Sequence, residues 1–137
     1  MVNEIWINLP VKNVARSKEF FRQIGFSFNE ERCNGNDSAC MVVGRKGIVV
    51  MLFADSLFKG FAANELADTS RGTEVLLSFD GESREAVDEM AKKVAAAGGN
   101  VFSPPAESQG WMYGFGFADP DGHRWNQLYM DMSRMSQ

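Results

Sequence analysis

The residues with the clearest chemical potential are few and lie in two short stretches of the chain. His123 is the only histidine among the 137 residues and follows the turn Asp119-Pro120-Asp121-Gly122. Glu74 begins the apolar stretch EVLLSFD. An imidazole or a carboxylate can bind a metal ion or transfer a proton, provided that its strand points it into a cavity. The surrounding pattern of helices and strands therefore decides which chemistry is available.

Length and composition favour a folded protein that binds small molecules. The mass of 15.2 kDa suits one compact domain or two small modules, and 45% hydrophobic residues are enough for a core. With a net charge of -4 and no cluster of lysine and arginine, the sequence predicts no basic surface that would bind nucleic acid. Because neither a signal sequence nor a membrane-length apolar run is present, we expect a cytoplasmic protein that does not contact the membrane.

Two cysteines, Cys33 and Cys40, lie seven positions apart. This spacing matches neither a paired CxxC zinc site nor a disulfide framework. We expect both thiols to be reduced, in keeping with a cytoplasmic location.

The first half of the chain follows a strand, helix and three-strand order. Glu4–Leu9 alternates apolar and polar residues, which predicts a strand. Asn13 is placed to cap a helix that Gly25 ends. Turn formers then separate three short strands, near Phe26–Arg32, Ala39–Val43 and Ile48–Phe53.

The second half repeats this order. A strand begins at Thr73, and the spacing of apolar residues predicts a helix over Ser83–Ala97. Strands near Asn100–Phe102, Trp111–Ala118 and His123–Met130 complete the second module.

The repeat predicts an α+β fold of two βαβββ modules, residues 1–55 and 73–137, joined by a linker at residues 56–72. Neither module can bury its sheet alone. We expect the modules to form a curled mixed sheet around a shared cup, with the helices outside.

The stretches INLPVKNVARSKEFFRQIGF and DPDGHRWNQLYMD, together with this order, resemble the vicinal oxygen chelate superfamily of glyoxalases, bleomycin-resistance proteins and extradiol dioxygenases. The resemblance covers nearly the whole chain. It implies the same paired-module fold and, since members commonly pair, a homodimer.

The resemblance also implies where a metal would bind. Metal-dependent members take four ligands, usually His, Glu or Gln, from the first and last strands of each module. The matching positions here are Trp6, Met51, Glu74 and Asn126. Because tryptophan offers no lone pair, a thioether suits Cu(I), and an amide is a weak donor, only Glu74 is a good ligand. We therefore predict no metal cofactor and no metal-binding residue.

Strand alternation gives His123 a structural role. It shares a face with Trp125 and Gln127, whereas Arg124 and Asn126 share the face that looks into the cup. Alternation thus predicts a histidine at the turn rather than a metal ligand.

The predicted ligand site is apolar and aromatic, with a few polar groups. Glu74 and Arg124 would fix the polar ends of a ligand. An aromatic lid over Pro104–Tyr113, or the segment Leu57–Phe61, would cover it, unless the aromatic residues of these two segments form a dimer contact instead. The ligand-binding residues that we predict are Trp6, Asn8, Met51, Phe53, Glu74, Leu76, Trp111, Tyr113, Arg124, Asn126 and Leu128. A Glu74 carboxylate flanked by Trp6 and Met51 would also have a raised pKa, which suits a general base.

Three functions remain open on these grounds. The favoured one is a metal-independent protein, similar to bleomycin-resistance proteins, that binds a small organic molecule. The second is a lyase, isomerase or dioxygenase that depends on a divalent metal or on Glu74. The third is an interaction domain whose large side chains simply fill the cup.

Overall fold

The computed structural model describes residues 1–33 and 35–135, and the chain divides into two compact units, Met1–Asp68 and Thr69–Gln137. Each unit contains a four-stranded mixed sheet. The α+β class and the repeated βαβββ order predicted from the sequence are confirmed. In the part of the chain that the structure describes, no helix is long and apolar enough to cross a membrane.

The first unit has strand order β1-β4-β3-β2, with β1 parallel to β4 and the other neighbours antiparallel. Its elements are β1 (Trp6–Val11), α1 (Val14–Gln23), β2 (Ser27–Phe28), β3 (Ser38–Val43), β4 (Ile48–Ala54) and α2 (Asp55–Ala62).

Helix α1 begins and ends as predicted. The Oδ1 atom of Asn13 accepts a hydrogen bond of 3.0 Å from the backbone N–H of Arg16. Gly25 follows the helix with φ 104°, in the left-handed region that favours glycine. Phe20 and Phe21 bury the apolar face of the helix in the core of this unit.

Two features of the first unit differ from the prediction. Strand β2 is much shorter than Phe26–Arg32, because the side chain of Asn29 accepts hydrogen bonds from the backbone of Glu31 and Arg32 and bends the chain. The predicted linker contains helix α2, whose Phe61 ring lies 5.2 Å from the ring of Phe53. Its eight residues and internal glycine gave too weak a periodic signal to indicate a helix.

The second unit has strand order β5-β8-β7-β6, with β5 parallel to β8. Its elements are β5 (Leu76–Asp80), α3 (Arg84–Ala96), β6 (Asn100–Ser108), β7 (Met112–Ala118), β8 (Arg124–Met130) and a short 3-10 helix (Met132–Arg134). Helix α3 packs on one face of this sheet, against the aromatic cluster of Phe79, Phe115, Phe117 and Trp125.

We predicted a loop over Pro104–Tyr113, and this is wrong, because most of the segment is strand. Strand β6 continues through Pro104 and Pro105 as far as Ser108. A proline interrupts the hydrogen-bond ladder of a sheet and is therefore tolerated at an edge strand or a bulge. Strand β6 is at the edge of its sheet, and its register with β7 shifts on both sides of Ser103. The segment is an irregular edge strand rather than a mobile loop.

Candidate functional site

Strand β8 separates the residues of the second unit onto two faces. Trp125 and Gln127 are buried on the side of α3, whereas Arg124, Asn126 and Leu128 lie on the other side. We call this second side the open face of the second sheet. The strand register adds Leu76 from β5 to the open face, beside Arg124. The alternation predicted for β8 is thus confirmed.

The open face of the second sheet holds a groove of about 470 Å³, within the size range of pockets that bind small ligands. Strands β5, β6, β7 and β8 all contribute to its walls. Residues that line it include Leu76, Phe102, Met112, Arg124, Asn126 and Leu128. The lining is mostly apolar, with a cation and an amide from one strand.

Glycine creates the floor of this groove. Gly116 lies beside Asn126 across the β7–β8 ladder, and a Cβ atom at Gly116 would be 2.6 Å from Cε1 of Phe102. The ring of Phe102 therefore rests on bare backbone. The guanidinium of Arg124 lies 4.1 Å from the centroid of this ring, a cation–π distance. Phe102 thus contacts both the Gly116 backbone and Arg124.

Two polar groups of the groove have unmet interactions. The Oδ1 atom of Asn126 is buried and has no hydrogen-bond partner among the described residues. Arg124 contacts Phe102, and in residues 1–33 and 35–135 no carboxylate forms an ion pair with it. A buried acceptor without a donor and a cation without an anion both favour a ligand that supplies the missing groups.

The carboxylate of Glu107 also lines the groove but is already paired. It accepts a short hydrogen bond from the guanidinium of Arg84 at the start of α3, and a second guanidinium, of Arg134, is 3.9 Å away. The hydrogen bond from Arg84 and its positive charge lower the pKa of Glu107. Glu107 therefore stays charged and paired with other arginines.

The Asp119–Gly122 turn before β8 is stabilised by hydrogen bonds to the carboxylate of Asp119. The Oδ1 atom of Asp119 accepts hydrogen bonds of 3.0 Å from the backbone of Asp121 and His123, and Oδ2 accepts one of 3.1 Å from Nε1 of Trp125. Burial raises the pKa of Asp119, while the nearby charge of His123 and these hydrogen bonds act in the opposite direction. His123 contributes to this turn and is not among the residues that line the groove.

Four of the predicted ligand-binding residues lie together in the first unit. The β1–β4 register places Trp6, Asn8, Met51 and Phe53 on one face of the first sheet. Trp6 is 51% exposed at the start of β1, whereas Met51 is buried. These residues form a partly exposed apolar surface with one amide.

The other predicted residues are arranged differently. Leu76, Arg124, Asn126 and Leu128 line the groove together. Glu74 is exposed and precedes β5, which begins only at Leu76, where pairing with β8 starts.

The two predicted lid aromatics are not among the residues that line the groove. Trp111 is in the turn before β7, where its backbone oxygen accepts a hydrogen bond of 2.7 Å from Asp131. Tyr113 lies on the α3 side of the sheet, where its hydroxyl donates a 2.7 Å hydrogen bond to Asp88.

Sequence reasoning missed Phe102 and the glycines beneath it. The sequence MYGFGFA of β7 did contain a signal, since glycines at alternate positions leave one face of a strand bare. On the other face, Phe115 and Phe117 are buried. A bare strip next to an aromatic residue indicates close packing of a ring on backbone.

The residues at the positions that the resemblance assigns to metal ligands offer few donors for a divalent metal. Trp6, Met51 and Asn126 offer an indole, a thioether and a neutral amide, which leaves the carboxylate of Glu74 as the one strong donor. Among residues 1–33 and 35–135, no group of three or more His, Cys, Asp or Glu side chains is placed to hold a metal ion.

Comparison with known proteins defines the class. The model of the Glyoxalase/Bleomycin resistance protein/Dioxygenase superfamily matches residues 5–126, and the chain belongs to this superfamily. No functionally curated protein matches the chain.

Several solved structures share the fold. A hypothetical protein from S. aureus is 31% identical, with a TM-score of 0.84 over 94% of this chain and 95% of that one. The fosfomycin resistance protein FosX from Listeria monocytogenes is 19% identical, with a TM-score of 0.71 over 98% of both chains. TioX from Micromonospora sp. ML1 is 17% identical, with a TM-score of 0.66 over 94% of this chain and 99% of that one.

Proposed function

We propose that this protein binds a small organic molecule, without a metal ion, in the groove on the open face of the second sheet. The observation that carries the proposal is the pairing of an apolar groove with two unmet polar groups. The walls provide Leu76, Met112 and Leu128, while Arg124 and Asn126 provide a cation and a buried acceptor. A few polar groups within an apolar cleft are typical of small-molecule sites.

Metal independence is supported by the chemistry of the four residues at the superfamily's ligand positions. One carboxylate and one amide would leave most of the coordination shell to water, which disfavours tight binding. The similarity to FosX, described as a fosfomycin resistance protein, is consistent with a small-molecule ligand. We propose that the protein recognises its ligand through apolar contacts and hydrogen bonds rather than through a metal ion.

We further propose that Trp6, Asn8, Met51 and Phe53 form an additional ligand-contacting surface on the first sheet. Support comes from their common face and from the exposed indole of Trp6. Trp6→Ala should therefore weaken ligand binding.

A cytoplasmic homodimer is the assembly that we propose. Ile5 and Val75 expose large apolar side chains just before β1 and β5, and exposed apolar side chains are typical of interfaces between subunits. The thiol of Cys40 is free and buried, and burial raises its pKa, which makes the thiol less reactive. A free thiol is typical of proteins in a reducing compartment such as the cytoplasm.

The proposal is tested by a thermal-shift screen of small organic acids, bases and neutral compounds, with and without a chelator. A ligand should raise the melting temperature equally under both conditions, and calorimetry should measure its affinity for the wild-type chain. Arg124→Gln should weaken binding of an acidic ligand about tenfold or more, since it removes a charge-assisted contact.

The matched control is Arg45→Gln, an exposed arginine in the turn between β3 and β4. It makes the same charge change outside the groove and should leave affinity unchanged. Equal losses in the two variants would contradict a site at Arg124. One equivalent of tightly held Mn, Ni, Zn or Fe(II), with a raised melting temperature, would replace this proposal with the metal-dependent one.

A further inference from the structure

The ring of Phe102 is part of the lining of the groove. Its edge rests on the backbone of Gly116, and the guanidinium of Arg124 lies 4.1 Å from its centroid. In this position the side chain is 37% exposed, so part of the ring faces the open groove. We call the space beside the Gly116 backbone and the Arg124 guanidinium the slot. It accommodates a flat aromatic ring, and the side chain of Phe102 fills it.

The backbone around Phe102 favours departure of the ring. Strand β6 is an edge strand, and its register with β7 shifts between Val101 and Ser103. The residue thus lies at an irregularity, where the regular alternation of side chains along the strand is interrupted. A rotamer change can move the ring outward without breaking the core of the sheet.

The groups around the slot define what replaces the ring. Arg124 offers a planar, permanent cation that matches a carboxylate. Asn126 lies beside Gly116 across the ladder, and its Oδ1 atom is a buried acceptor without a donor. An orphaned acceptor favours any occupant that brings it an N–H or O–H group.

We infer that the ligand is an aromatic organic acid: its ring takes the slot held by Phe102, its carboxylate pairs with Arg124, and its N–H or O–H group donates to Oδ1 of Asn126. This inference rests on the proposed binding function and names the ligand class of the same groove. Phe102 is then a competitor of the ligand, which binds only after the ring has moved aside.

The test measures affinities of the full-length protein for the three isomers of aminobenzoate by calorimetry. Benzoate lacks the donor, aniline lacks the anion, and cyclohexanecarboxylate lacks the aromatic ring. At least one isomer should bind about fivefold or more tighter than each of these, the size of one hydrogen bond or charge contact. Methoxybenzoates, which accept but do not donate at the ring substituent, should bind no better than benzoate.

Three variants assign the roles. Phe102→Ala should bind the preferred isomer about tenfold tighter, because the ligand no longer displaces a ring held by a cation–π contact. Phe102→Leu, which keeps apolar bulk without the ring, should show a smaller gain and serves if the alanine variant folds poorly. Asn126→Leu should lose the preference for aminobenzoate over benzoate while keeping the wild-type melting temperature, since Oδ1 forms no bond to lose.

The outcomes separate this inference from the proposed function. Unchanged or weaker binding by both Phe102 variants, or tighter binding of aniline than of every aminobenzoate, would overturn the inference while leaving the groove a small-molecule site. Tighter binding of methoxybenzoate than of benzoate would overturn the assignment of Asn126 as an acceptor. If acids, bases and neutral compounds all fail to bind, the proposed function fails with the inference.

Discussion

Removal of the Asp119 carboxylate should destabilise the protein by an amount that the structure allows us to estimate. The side chain is 5% exposed and accepts three hydrogen bonds, from the backbone of Asp121 and His123 and from the indole of Trp125. At about 1 kcal/mol for each bond, with an added cost for donors left without partners, Asp119→Ala should lower the free energy of unfolding by about 3–4 kcal/mol. Asp119→Asn keeps one oxygen acceptor but turns an N–H group toward an N–H donor, so its loss should be about 1–2 kcal/mol.

Urea unfolding followed by both tryptophan fluorescence and circular dichroism measures these losses. The two signals should give the same midpoint, because free energies are comparable only when the transition is two-state. Glu89→Ala on the exposed side of α3 is the control, and it should change stability by no more than about 0.5 kcal/mol. A loss below about 1 kcal/mol for Asp119→Ala would refute the view that this carboxylate holds the turn before β8.

Two further outcomes follow from the same sheet. A Cβ atom at Gly114 would be 2.4 Å from the backbone oxygen of Gln127, which cannot move away, whereas at Gly116 it would meet the movable ring of Phe102. Gly114→Ala should therefore cost at least about 2 kcal/mol more than Gly116→Ala in urea unfolding, and equal costs would contradict the geometry. Burial raises the pKa of Asp119 in the folded state, so protonation of this carboxylate favours folding. The stability advantage of wild type over Asp119→Asn should therefore grow as the pH falls through the raised pKa toward the unfolded value near 4. A shrinking advantage over the same range would show that the hydrogen bonds and His123 outweigh burial.

The sequence predicted the fold well because the two halves contain independent signals for the same order of elements. The cap at Asn13, the stop at Gly25 and the alternation along β8 are local features, and each is present in the structure. The failures also have local causes. Asn29 ends β2 through its side chain, and Pro104 resembles a loop residue although an edge strand tolerates it.

The groove could be predicted only in part. Alternation along β8 was enough to place Arg124 and Asn126 on one face. The position of Phe102 was beyond this reasoning, because it depends on register shifts in β6 and on the missing side chain of Gly116 in another strand. Periodicity describes one strand at a time, whereas a ring lying across strands is a property of the sheet.

Pro104 and Pro105 have a consequence for the behaviour of the protein at high concentration. An outer strand with a regular row of backbone donors can recruit a strand from another molecule, which is how many sheet proteins begin to form fibrils. Strand β6 occupies this outer position, but its two prolines have no N–H groups and its bulges bend it away from a flat edge. The irregularity on either side of Phe102 and Ser103 therefore also disfavours the addition of a further strand to this sheet.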